Sequence, residues 1–153
     1  VTAEARAVLC ALADVARLPA PAKLPERLAA AGWTEAEFGS AGLQRWTFGE
    51  IETTYHGGGT AIIETTVDLV EPDTDDEDFL YEEFAIRFAR MLASAEELLG
   101  PTDFRGMYGD DGFPDEEAEA VEAARWHLGA GSAGLNLMHE DQGVPFRLTV
   151  TAT

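Results

Sequence analysis

Three histidines, one cysteine, three serines and a large excess of acids are the residues of this chain whose chemistry could be put to use. His56, His127 and His139 are dispersed. No two stand four residues apart, and no His-Glu-x-x-His occurs, so the pattern of a helical metal site is missing. None of Ser40, Ser94 and Ser132 lies in a Gly-x-Ser-x-Gly elbow. Ser132 sits in the run Gly129-Ala130-Gly131-Ser132-Ala133-Gly134, which resembles a phosphate cradle in glycine content alone. It lacks the lysine of a phosphate-binding loop, and no helical pattern follows it, so the run is expected to be a hairpin turn.

Cys10 stands among Val8, Leu9 and Leu12 with no cation close in sequence. It is expected to be a small buried hydrophobe rather than a reactive thiol, and a lone cysteine forms no internal disulfide. The run Asp73-Thr74-Asp75-Asp76-Glu77-Asp78 invites comparison with a calcium loop. Such a loop would need Gly at its sixth position and Glu at its twelfth, where this chain has Asp78 and Phe84. The run is read instead as a capped helix N-terminus that also forms a negative patch. Carboxylate pairs are so numerous that none stands out as an acid–base couple. No catalytic residue, metal or cofactor is therefore expected, and the chain is not read as an enzyme.

The acids carry the strongest message. Asp and Glu number 29 against 10 Lys and Arg, for a formal net charge of −19. Nucleic acid and anionic lipid reward basic surfaces, so neither is an expected partner. A basic protein would be attracted, and its encounter accelerated. A second acidic group, Asp110, Asp111, Asp115, Glu116, Glu117 and Glu119, follows the first at a distance. There Tyr108 and Phe113 flank Gly109-Asp110-Asp111-Gly112, a combination of aromatic anchors and charge that suits a protein interface. The expected partner-binding set is Asp73, Asp75, Asp76, Glu77, Asp78, Tyr108, Asp110, Asp111, Phe113, Asp115, Glu116 and Glu117.

The elements that must position these residues follow from periodicity. Val8, Leu12, Val15 and Leu18 share one helical face over residues 3–18, and Pro19-Ala20-Pro21 stops that helix. Pro25 suits the first turn of a short second helix that ends at Gly32. Thr34-Glu35-Ala36-Glu37 has the form of a capping box and predicts one further helical turn. Leu43 to Phe48, Ile51 to Tyr55 and Thr60 to Val70 are β-rich, with Gly57-Gly58-Gly59 as a hairpin turn. In the third run Ala61, Ile63, Thr65, Val67 and Leu69 are expected to face the core, and Glu64, Thr66 and Asp68 the solvent.

The longest helix is predicted over residues 75–99, with a Thr74–Glu77 capping box, an apolar stripe through Leu80, Phe84, Phe88, Met91, Leu92, Ala95 and Leu99, and a Gly100-Pro101 stop. Residues 102–120 read as a loop with a short acidic helix near Pro114 to Ala120. Val121 to Leu128, Leu135 to His139 and Val144 to Val150 then alternate, with turns at Gly129–Gly134 and Glu140–Gly143. Trp126, Leu128, Leu135, Leu137, Phe146, Leu148 and Val150 form the expected core face, and Trp33 and Trp46 are expected at the core or its rim. The order α-α-βββ-α-βββ, with short connections between strands, predicts an α+β two-layer sandwich: one antiparallel sheet, helices on one face, a single domain over residues 1–153. No apolar run reaches the ~18 residues of a membrane span, and Val1-Thr2-Ala3-Glu4 begins no signal peptide, so a cytoplasmic protein is expected.

The segment Leu28-Ala29-Ala30-Ala31-Gly32-Trp33, the long strand Thr60–Val70, the 75–99 helix and the ending Arg125-Trp126-His127-Leu128…Leu135-Asn136-Leu137…Phe146-Arg147-Leu148 together carry a resemblance. The chain resembles the type III secretion chaperone-like fold, whose members are small, acidic and protein-binding. It also resembles the small acidic actinobacterial proteins that include immunity proteins of polymorphic toxin systems. The resemblance implies an immunity protein that occludes the active site of a cognate, basic toxin. Its alternatives are a secretion chaperone or adaptor, compatible with a homodimer, and a small ligand-binding or enzymatic domain. Chaperones of this fold end in a dimerising helix, whereas here the pattern ends on a strand, which puts the immunity reading first.

Overall fold

The computed structural model describes residues 2–18, 23–36, 43–57, 61–71, 77–115, 119–139 and 145–153. The elements are α1 (Ala3–Arg17), α2 (Leu24–Ala30), β1 (Thr34–Ala36), β2 (Gln44–Phe48), β3 (Ile51–His56), β4 (Ile62–Val70), α3 (Glu77–Leu99), β5 (Phe104–Met107), β6 (Ala120–Leu128), β7 (Gly131–Met138) and β8 (Phe146–Ala152). All eight strands form one antiparallel sheet in the order β1-β2-β3-β4-β8-β7-β6-β5. Two antiparallel ribbons, β1–β2–β3–β4 and β5–β6–β7–β8, are thus joined where the long strand β4 pairs with β8.

The α+β class is as expected, but the sheet has two more strands than the predicted order allows. Thr34–Ala36 is not a helical turn: it pairs with Arg45–Thr47 as an edge strand. Phe104–Met107, read from sequence as loop, pairs with Glu122–Arg125 and forms the opposite edge. Both are only three or four residues long, too short for period 2 to declare itself. The β6–β7 turn is also tighter than expected. Leu128 pairs with Gly131, so the turn is Gly129-Ala130, and Gly131–Gly134 belongs to β7. Gly129 has φ +68°, the sign that primed hairpin turns require at their first position. The predicted Glu140–Gly143 turn and Thr74–Glu77 capping box fall largely outside the described residues, as do Gly58 and Gly59. The acidic helix sought near Pro114 to Ala120 falls there in part, and Ala120 already belongs to β6.

α1 and α3 lie against each other and against β7 and β8. Val8, Leu9, Leu12 and Val15 of α1 and Phe84, Phe88, Met91, Leu92 and Ala95 of α3 are buried, as their helical spacing requires. They meet Trp126, Leu135, Leu137, Phe146, Leu148 and Val150 of the sheet. Thr2 caps α1 by accepting a hydrogen bond from Ala5 N–H at 3.1 Å. Trp126 donates its indole N–H to the Gly100 carbonyl at 2.9 Å, tying β6 to the end of α3. Trp33 and Trp46 are buried as expected. Cys10 is a correction: it is exposed, on the outer side of α1, because Leu9 and Leu12 already occupy the inward positions around it.

β4 holds a second correction. Its register against β8 shifts between Thr66 and Asp68. One extra residue in a strand reverses the faces of all that follow. Asp68 therefore turns to the helix side and meets Arg87, while Leu69, expected in the core, is 47% exposed.

Candidate functional site: an acidic, aromatic-tipped end of the sheet

β4 ends at Val70 opposite Phe146, β7 ends at Met138 opposite Arg147, and β6 begins at Ala120 opposite Met138. These strand ends lie together at one end of the sheet. The first half of α3 lies over the same end, with Tyr81 and Phe84 ring centroids 6.5 and 5.7 Å from that of Phe146. Glu71 and Asp78 are exposed here, and so are Asp110, Asp111, Asp115 and Glu119. Asp73, Asp75, Asp76, Glu116 and Glu117, which the sequence reading also placed in the interface, lie outside the described residues. Glu77 is the first residue of α3.

The aromatic part is a built feature. Tyr108 N–H donates to the Val121 carbonyl at 2.9 Å, continuing the β5–β6 ladder by one bond. The chain then turns through Gly109 and Gly112, at φ +93° and +83°, conformations that few side chains tolerate. Asp110 closes the turn by accepting Met107 N–H at 2.8 Å, so its carboxylate is a structural group of the loop. Phe113 packs edge-on against Phe104 at 6.1 Å and against Tyr108 at 5.9 Å. The Phe104 ring lies across Gly106, where any Cβ would meet it at 2.7 Å. Phe113 is half-buried by these contacts. Tyr108 stays 67% exposed, held outward by Phe113, and Met107 beside it is 47% exposed.

Charge is distributed to match. Arg6, Arg17, Arg45, Arg87, Arg105 and Arg147 each pair with a carboxylate of the same chain. Arg27 is buried at the end of α1, where its Nη1 donates to the carbonyls of Val15 and Thr153, and burial lowers its pKa. Most of the chain's basic charge is thereby held in contacts within the chain, and most acidic side chains among the described residues are exposed.

A cleft of about 480 Å³ opens on the face of the sheet away from the helices. His56 lines it with Glu52 and Glu64. Both glutamates are engaged, Glu52 with Arg45 at 3.6 Å and Glu64 with Arg147 at 3.8 Å. His127 is turned to Asp103, whose carboxylate accepts its backbone N–H at 2.6 Å. That bond holds the Asp103 pKa below the usual carboxylate range, with help from the imidazole 3.3 Å away. His139 stacks on Phe146 at 3.9 Å. No group of metal-ligating side chains occurs among the described residues, and none of their helices is long and apolar enough to cross a membrane. Ser132 lies in a strand, its Oγ 2.9 Å from Thr153 Oγ1, not in a turn.

No protein-family model, curated protein or solved structure matches the chain.

Proposed function

We propose that the chain is an immunity-type protein that binds a basic toxin and covers its active site. The observation that carries this reading is the outward-held Tyr108, packed on Phe113 and through it on Phe104, in a loop where Asp110, Asp111 and Asp115 are also exposed. An exposed aromatic with rigid support loses little conformational entropy on binding and suits the centre of an interface. Unopposed acids around it would steer a cationic partner and set its orientation.

The test is binding to the purified product of the adjacent gene, followed kinetically across salt concentrations. Tyr108→Ala should weaken the complex by about 2 kcal/mol, the scale of an interface hot spot, with no change in folding. Asp111→Asn combined with Asp115→Asn should slow association and flatten its salt dependence. A tight complex indifferent to all three substitutions would remove this surface from the interface, and failure to bind the neighbouring product would remove the immunity reading itself.

A further inference from the structure

On the helix side of the sheet, away from the aromatic tip, α1, α3 and the bulged stretch of β4 enclose a cleft of about 490 Å³. That lies within the ~300–1,000 Å³ of small-molecule sites. Its apolar lining includes Ala5, Met91 and Leu148, all nearly fully buried. Arg87 and Arg90 line it as well.

The two arginines differ. Arg87 is immobilised. Its Nη1 donates to both oxygens of Asp68, at 3.1 and 3.0 Å, Nη2 donates to Glu83, and the guanidinium lies 4.8 Å over the Phe84 ring. The bulge in β4 is what brings Asp68 to this side, and bulges serve to re-aim side chains near sites. Arg90, the next residue along the same helical face, is exposed and makes no hydrogen bond or ion pair among the described residues. The cleft thus joins an apolar lining to one cation without a counter-ion among the described residues. Asp68, the acid among the lining residues, is already held by Arg87. A cationic head group would meet Arg90 and find no free acid among the described lining residues. A carboxylate would meet a charge-assisted donor. The chain's overall negative field is screened within about 8 Å at physiological salt, so the local cation decides the sign.

We propose that this cleft binds a small aliphatic carboxylate, with its hydrocarbon on Ala5, Met91 and Leu148 and its carboxylate on Arg90. The site is separate from the proposed partner interface and does not depend on it.

The experiment is an amide-resolved NMR titration of the whole chain with sodium octanoate and, separately, octylammonium chloride. Octanoate should give saturable shifts at Ala5, Asp68, Arg90 and Met91, and octylammonium none there. Arg90→Gln, a surface change that leaves folding intact, should weaken octanoate about tenfold, the scale of one charge-assisted bond. Ala5→Leu should fill the cleft and abolish the shifts while the thermal melt stays cooperative. If that variant does not fold, the Arg90→Gln comparison alone decides. Absence of saturable shifts at these residues, equal binding of the ammonium, or an Arg90→Gln affinity equal to that of the unmodified chain would each overturn the proposal.

Discussion

Along the middle of strands β6, β7 and β8 both faces are buried, and they are chemically opposite. Toward the helices stand Trp126, Leu135, Leu137, Phe146, Leu148 and Val150. On the other face stand Arg125, Asn136, Thr149 and Thr151, none more than 4% exposed. Alternation of apolar and polar residues along these strands predicts one dry and one wet face. Here both are withdrawn from water, so burial and polarity have to be separated. The helix-side face is held by dispersion and apolar burial. The polar face is held by geometry: Arg125 Nη1 donates to Thr151 Oγ1 at 3.5 Å, and Asn136 Nδ2 to Thr149 Oγ1 at 3.4 Å. These are long bonds, and net hydrogen-bond contributions are modest in any case.

The difference should appear first as a difference in cost. Leu137→Ala leaves a cavity among residues that cannot collapse into it, beneath α1 and α3. The expected loss is about 3 kcal/mol in ΔG of unfolding, measured by urea denaturation. A loss below about 1 kcal/mol would mean that the helices are not locked onto the sheet.

On the polar face the sensitive point is a glycine. A Cβ at Gly134 would stand 2.7 Å from Arg125 Nη1 and against Thr151 Oγ1. Gly134 is where the Arg125 side chain crosses β7 to reach β8. Gly134→Ala forces that side chain aside, with an expected cost of about 2 kcal/mol by overpacking. Elsewhere in a strand the same change tends to stabilise, because alanine has less backbone freedom to lose on folding. A stabilised Gly134→Ala variant would show that Arg125 does not need this path, and the contrast between the faces would weaken.

This contrast explains what could and could not be read from the amino acids. The helix-side core was legible in full outline, because Leu80–Leu99 repeats with helical period and Leu135, Leu137, Phe146, Leu148 and Val150 alternate. The polar face was not, because Gly131-Ser132-Ala133-Gly134 has the composition of a turn. Its small residues are needed for another reason, the close passage of Arg125 and of the C-terminal residue Thr153. The Val67 bulge was equally hidden: strict alternation continues through it in sequence, and only the pairing with β8 shows that Asp68 has changed sides. At the acidic end, the exposure of Tyr108 was legible from its place between glycines and acids. Its support by Phe104 was not, since an edge strand with a central glycine carries no period of its own.

The smallest expected effect is the sharpest test of the comparison. Asn136 Oδ1 is buried and has no hydrogen-bond partner among the described residues, and the bond of that side chain to Thr149 is 3.4 Å long. An unsatisfied buried carbonyl costs free energy, whereas replacing both members of a polar pair with apolar groups of similar shape can be neutral or better. Asn136→Leu combined with Thr149→Val should therefore change stability by less than about 1 kcal/mol, in either direction. Asn136→Leu alone leaves the Thr149 hydroxyl without Nδ2 and should cost more than the pair. The double-mutant cycle reads that coupling directly. If the double variant falls as far as Leu137→Ala, the polar face is a second core whose bonds matter as much as the packing opposite. If it is neutral, the helix-side core carries the fold, and the polar residues of the other face are retained for something other than stability.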